Sequence, residues 1–207
     1  MPSITLAMYL NPHVDSMKLK NGKIIIFAGP SGSGKDTVMQ AIMKECNNMV
    51  KLTTATTRPM REGEVDGEMY YFQTVDEFKS NIRKGLIPEH NVHADNYYGT
   101  YLPDLDKKMK QGKIIVGQVQ LVGARYLKKN YKALLIFLKA ESWDILRSRI
   151  KSRSHLSEDE IEKRRIIAER EISEESKFYD YIVENKQGQL DKTIEKVKKI
   201  IKENIEC

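Results

Sequence analysis

The chain is poor in cysteine, has few prolines and contains no long apolar run. Its two cysteines, Cys46 and Cys207, stand far apart without metal-ligand spacing, which excludes a disulfide framework and a cysteine zinc site and points to a reducing compartment, the cytoplasm. No segment approaches the roughly 20 apolar residues that span a bilayer, and the amino terminus lacks the basic and apolar regions of an export signal. The sequence therefore reads as a soluble protein without a membrane partner, and residues 1–20 read as a loosely ordered extension. Repeats and low-complexity stretches are missing as well, so solenoid and linker architectures drop out.

What is present suffices for one sizeable core with a small appended lobe: 207 residues, 40% hydrophobic and 31% charged. Thirty-five basic against twenty-nine acidic residues give a formal charge of +6. The lysines are scattered through helical stretches. That distribution favours a small anionic substrate and a solvated lysine-rich surface over nucleic acid.

The run Lys23–Ala28 (KIIIFA) is β-branched and ends in a glycine-rich turn, the signature of a buried strand. Apolar residues at helical spacing follow from Thr37 to Glu45. Further strands are predicted at Ile114–Gly117, Ala133–Leu138 and Tyr181–Val183, separated by helices near Leu102–Gln111, Leu121–Lys129 and Ser142–Lys151. Such alternation predicts an α/β fold with a central, mostly parallel sheet covered on both faces. Residues 52–100 break the rhythm, with short strands at Tyr70–Phe72 and Asn96–Tyr98 and a helix near Val75–Lys84, and read as an inserted lobe. A helix over Ser157–Glu175 is announced by Ser157 and Glu160, a capping box. The last helix, Leu190 to about Asn204, is expected to bury Ile194, Val197 and Ile201.

Between the first strand and helix lies Gly29-Pro30-Ser31-Gly32-Ser33-Gly34-Lys35-Asp36-Thr37, which fits GxxxxGK in the strand–loop–helix setting that a P-loop requires. The glycines let backbone N–H groups turn toward the β-phosphate, the helix N-terminus adds a favourable field, and Lys35 reaches the β and γ oxygens. The residue after the lysine is normally Ser or Thr, bound to Mg2+; here it is Asp36. Its carboxylate is either a ligand of the Mg2+ that accompanies ATP or a cap on the helix it starts.

Three motifs in order identify a resemblance. The stretch Thr54-Ala55-Thr56-Thr57-Arg58-Pro59-Met60-Arg61-Glu62-Gly63-Glu64-Val65-Asp66-Gly67 with Tyr70-Tyr71-Phe72, and the run Asn96-Tyr97-Tyr98-Gly99-Thr100, resemble the guanylate kinase family, as do the P-loop and the basic segment at 149–164. The resemblance implies a P-loop NTPase three-layer fold with a core (21–51, 101–150 and 178–207), a GMP-binding lobe (52–100) and a helical lid (151–177). It implies that Arg58, Arg61, Tyr70 and Tyr98 hold the acceptor phosphate, two guanidinium forks matching a dianion. Glu89 would accept from guanine N1–H and the 2-amino group, with Thr54 and Thr100 as further contacts. Arg149, Arg153 and Arg164 would neutralise the transferring group as the lid closes, and Asn185 would stand near adenine.

The family's D-x-D-x-Q-G is replaced by Gln118-Val119-Gln120-Leu121-Val122-Gly123. The first lost aspartate belongs near the metal and the second near the acceptor base, where Gln120 now stands. Asp36 is expected to restore one of these charges from the opposite side of the metal site. The resulting reading is ATP-dependent phosphorylation of GMP, and of dGMP, by direct in-line transfer in a monomer or homodimer. Its rivals are a P-loop kinase acting on a ribose phosphate and a non-catalytic guanylate-kinase-like binding domain. Glu89 and the Thr-Thr-Arg-x-x-Arg run speak against the first, and Lys35, Arg153 and Arg164 against the second.

Overall fold

The computed structural model describes residues 22–152 and 156–205. Among them the chain forms β1 (Lys23–Ala28), α1 (Lys35–Met43), β2 (Met49–Lys51), β3 (Thr54–Thr56), β4 (Tyr70–Phe72), α2 (Val75–Arg83), β5 (His90–His93), β6 (Asn96–Thr100), α3 (Leu102–Lys110) and β7 (Ile114–Gln118). It continues through α4 (Leu121–Tyr131), β8 (Leu134–Lys139), α5 (Trp143–Lys151), α6 (Glu158–Ser173), a 3-10 turn at Glu175–Phe178, β9 (Tyr181–Glu184) and α7 (Leu190–Asn204).

The first sheet has the order β2-β7-β1-β8-β9 and is parallel throughout. Both of its faces are covered, which explains why β1 and β8 are almost continuously apolar. Alternation along β1 sends Ile25 and Phe27 to one side and Ile24 and Ile26 to the other. The first pair packs with Val38 and Ile42 of α1 and Val197, Ile200 and Ile201 of α7. The second packs with Leu102, Leu105 and Met109 of α3 and Ala124 and Leu127 of α4. Each such side chain taken from water contributes about 1.5–3 kcal/mol, so the three layers follow from a period of two in the strand and 3.6 in the helices. The α/β fold with a mostly parallel central sheet is thus present.

A second sheet, β4-β3-β6-β5, is made entirely from residues between Thr54 and Thr100. Its β3 pairs parallel with β4 and antiparallel with β6, putting Thr54 beside both Tyr70 and Thr100. One face carries Ala55, Tyr71 and Tyr97 onto Phe78 of α2 and Ile87. The other face carries Thr54, Tyr70, Tyr98 and Thr100.

Several expectations shift. The helix expected from Thr37 begins at Lys35, because Gly34 adopts a left-handed φ of 87° and serves as its N-cap. Strands β2, β3 and β5 had no expectation: two have three residues, and β5 reads HNVH. The Ser157–Glu160 capping box forms, while the helix ends at Ser173. In α7, Val197 and Ile201 are buried and Ile194 only partly so. The expected extension at residues 1–20, Arg153 and Cys207 lie outside the described residues. Among the described residues no helix is long and apolar enough to cross a membrane.

Candidate active site

The loop after β1 is shaped by backbone geometry. Gly29, Gly32 and Gly34 have φ of 137°, 84° and 87°, a region closed to most L-residues. A Cβ on Gly29 would stand 1.9 Å from the carbonyl oxygen of Leu138, and one on Gly34 would stand 2.3 Å from Asn185 Nδ2. Within the loop Ser33 N donates to Pro30 O at 3.1 Å, and Lys35 Nζ approaches the same carbonyl at 3.4 Å. Ser33 is buried, and its Oγ has no hydrogen-bond partner among the described residues. An unsatisfied buried hydroxyl costs roughly 1–3 kcal/mol, so its place in a cradle of N–H groups suits a phosphate ligand. Ser31 and Thr37 are exposed and Pro30 is buried.

Asp36 is not the cap of α1. Gly34 is the N-cap and no side chain caps the helix; the Asp36 carboxylate instead accepts a hydrogen bond from Gln118 Nε2, through Oδ1. The two residues are therefore in contact rather than on opposite sides of a metal. Gln118 is the last residue of β7, in register with Phe27 at the end of β1, so strand pairing delivers it to the loop.

Asn185 lies beneath the loop and is buried. Its Nδ2 donates to Ser33 O at 2.9 Å and its Oδ1 accepts from Thr193 Oγ1 at 3.1 Å. Both ends of the amide are engaged inside the protein, which makes it a support for the loop. Arg149 of α5 donates to Gly32 O at 3.3 Å, to Asn185 O at 3.2 Å and to Gln187 Oε1 at 3.0 and 3.1 Å. Arg164 of α6 donates to Ser31 Oγ at 3.1 Å, which brings that helix against the loop.

A separate cluster of polar and aromatic side chains stands on the second sheet. Arg58 forms a two-pronged pair with Glu64, at 2.8 and 3.0 Å, and its guanidinium lies 5.4 Å from the ring centres of Tyr70 and Phe72. The hydrogen bond from Arg58 and one from the Arg61 backbone hold the Glu64 carboxyl below its usual range, and Glu64 in turn raises Arg58. Burial pushes the Tyr70 phenol up, and Tyr98 meets it edge to face at 6.0 Å. Arg61 is exposed, with its charge acting on Tyr70. Glu64 is a residue that sequence reasoning passed over, although a carboxylate three and six residues from two arginines carried the signal.

Glu89 precedes β5, is held by one backbone hydrogen bond and lies against Gly123. Thr100 N donates to its Oε1 at 2.8 Å, and both carboxylate oxygens would lie 3.2 Å from a Cβ on Gly123. Gly123 sits in the first turn of α4, where a carboxylate is electrostatically favoured. Thr100 Oγ1 is buried without a partner, and Gln120, the N-cap of α4, is exposed and makes no capping bond. Glu171 was also overlooked: its Oε2 is buried without a hydrogen bond, and burial raises its pKa, with Glu175 adding to the shift and Lys35 opposing it.

Comparison with known proteins gives one consistent result. The family model described as guanylate kinase matches residues 21–204. A guanylate kinase of Chlorobium luteolum is 37% identical over 164 residues, 78% of this chain and 83% of the relative. One of Halalkalibacterium halodurans is 36% identical over 186 residues, 89% of this chain and 90% of the relative. Among solved structures, the crystal structure of guanylate kinase from Anaplasma phagocytophilum superposes with a TM-score of 0.66 at 26% identity, covering 88% of this chain and 86% of that one.

Proposed function

Because the chain belongs to the guanylate kinase family, it phosphorylates GMP with ATP, and we propose that the Gly29–Thr37 loop holds the donor while the open face of β3, β4 and β6 holds the acceptor. The observation that carries this assignment is the stretch from Gln118 to Gly123. At one end Gln118 touches Asp36 of the loop, and at the other Gly123 lies against Glu89. Six residues at the carboxyl end of β7 thus join the two halves.

On this reading the loop N–H groups and Lys35 hold the β- and γ-phosphates. Arg58, Arg61, Tyr70 and Tyr98 hold the GMP phosphate, and phosphate displaces Glu64 from the Arg58 fork it already matches in geometry and charge. Glu89 accepts from guanine N1–H and the 2-amino group, a donor pair that adenine lacks; Thr54, Thr100 and Gln120 complete the base pocket. Nothing in this set distinguishes ribose from deoxyribose, so dGMP is an acceptor too. Transfer is in line, with positioning and charge stabilisation as the protein's contribution. Arg164, already against Ser31, and Arg153 meet the transferring group when the 151–177 segment closes. Arg149 braces the loop through Gly32 and Asn185.

Mg2+ enters with ATP. Among the described residues no group of three or more His, Cys, Asp or Glu side chains could hold a metal by itself. That fits Mg2+, which keeps several waters and takes one or two carboxylates beside the phosphates; Asp36 is the carboxylate available. Held by Asp36 and the triphosphate, Mg2+ would supply charge neutralisation for the transfer. The proposal includes a cytoplasmic protein, monomer or homodimer, that acts on free nucleotide and not on nucleic acid.

A coupled assay of ADP release over nucleoside monophosphates and ribose phosphates tests the reading. GMP and dGMP should turn over, and AMP, CMP, UMP and ribose phosphates should fall at least about 100-fold lower in kcat/KM, as expected when a polar recognition group loses its partner. Turnover with a ribose phosphate, or GMP binding without turnover, would replace it with one of the two rivals.

A further inference from the structure

Asp36 and Gln118 come from elements 82 positions apart in sequence and meet beside the phosphate loop. Asp36 has two rotatable side-chain bonds and is exposed, so by itself it would sample several rotamers. The backbone of Gln118 is fixed. It ends a strand whose preceding residues Ile114–Val116 are buried, and a Cβ on the neighbouring Gly117 would already meet Leu52 Cβ at 2.5 Å. Its Nε2 also lies 3.8 Å from Met39 Sδ, one turn further along α1. The amide nitrogen therefore faces α1, and its oxygen is turned away.

A neutral amide is suited to this work. It donates to a carboxylate oxygen without adding charge, so the carboxylate keeps its full attraction for a cation. A lysine in its place would neutralise the carboxylate, and an aspartate would repel it. With Oδ1 gripped, Oδ2 is the oxygen left to meet a metal on the nucleotide. We propose that Gln118 is a positioning residue of the metal site: it clamps Asp36 through one oxygen and so presents the other to the cation that ATP carries. The proposal rests on Asp36 being a metal ligand and goes one shell beyond it.

The test measures Mn2+ binding by electron paramagnetic resonance, in the presence of a non-hydrolysable ATP analogue, for wild type, D36N, Q118M and D36N/Q118M. Methionine keeps the length of glutamine and its packing on Met39 but has no N–H. The expected result is about 10-fold weaker Mn2+ binding for Q118M, the scale of losing a partner that orients a metal ligand, with metal-free analogue affinity unchanged. D36N should be weakened at least as much. The double variant should be no weaker than D36N, because Gln118 acts only through Asp36. If D36N weakens Mn2+ and Q118M does not, the clamp is overturned and Asp36 remains a ligand. If neither changes Mn2+ affinity, Asp36 is not a ligand and the clamp falls with it. A drop in Tm for Q118M at unchanged Mn2+ affinity identifies a structural staple between β7 and α1 and overturns the proposal, as does an additive double variant.

Discussion

The loop at Gly29–Thr37 and the open face of the second sheet are the two places proposed to receive phosphate, and they differ in what would do the receiving. In the loop the groups are main-chain N–H donors locked by glycines at positive φ, braced from below by Asn185 and from the side by Arg149. On the sheet they are side chains, and the principal one, Arg58, already has its fork filled by Glu64. A backbone cradle is set when the chain folds and costs nothing to organise at binding. A side-chain cradle must exchange one anion for another. The first should be intolerant of substitution and the second adjustable.

Two glycines test this most sharply. Gly29 and Gly63 both have positive φ, 137° and 80°. A Cβ on Gly29 would collide with Leu138 O, whereas one on Gly63 would meet nothing within 4 Å. Gly29→Ala is expected to abolish ATP binding and to lower Tm by more than any other substitution considered. Gly63→Ala should cost only the left-handed penalty, about 1–2 kcal/mol, and leave ATP binding intact. Equal losses in calorimetry and nucleotide titration would break the comparison.

Charge removal comes next. Lys35→Met should lower kcat by roughly 100- to 1,000-fold, the scale of deleting one preorganised donor, with GMP binding retained. Arg58→Met should raise the KM for GMP by about 30-fold or more and leave the KM for ATP unchanged. Steady-state kinetics with each substrate varied separates the two, and a shared effect on both KM values would show that the halves are not independent.

Asn185→Leu sits on the boundary between structure and function. It removes the donor to Ser33 O, a cost of roughly 1–3 kcal/mol, while the Thr193 hydroxyl keeps Gln189 O at 3.2 Å. The expected signature is a lower Tm together with a several-fold higher KM for ATP and an unchanged KM for GMP. An unchanged KM for ATP would mean that the loop holds its shape without this brace.

Much of this was legible in the sequence because the physics was local. The P-loop is contiguous, and β1 and β8 declare burial on both faces by being apolar at all but one end position. Illegible were features whose cause is tertiary. Strands β2 and β3 are three residues long and exist because β7 and β6 lie beside them, so no periodicity marks them. A motif places an asparagine at Asn185, but only its burial beneath Ser33 reveals that it braces the loop. The partner of Asp36 was invisible because strand register, not sequence distance, brings Gln118 to it. Once β1 and β7 are paired at Phe27 and Gln118, that contact becomes a consequence of the fold.

The smallest effect is a pair of pH dependences of opposite sign, one from each half. Arg58 and the Arg61 N–H depress Glu64. A depressed carboxylate contributes stability above its ordinary pKa and loses it as pH falls through the folded value. Wild type should therefore be more stable than Glu64→Gln at neutral pH, with the gap closing in acid. Glu171, on the donor side, is raised by burial, so its folded form favours the proton. Its contribution is fully present below the ordinary carboxylate pKa and is lost as pH rises through the raised value. Glu171→Gln should therefore melt higher than wild type at neutral pH, by on the order of 1–2 °C, and the advantage should vanish below the ordinary pKa. Thermal denaturation of the three proteins across the acid range reads both slopes. Slopes of the same sign would mean that Arg58 does not hold Glu64 as a carboxylate, and the acceptor cradle would then lack the anion that GMP phosphate is expected to displace.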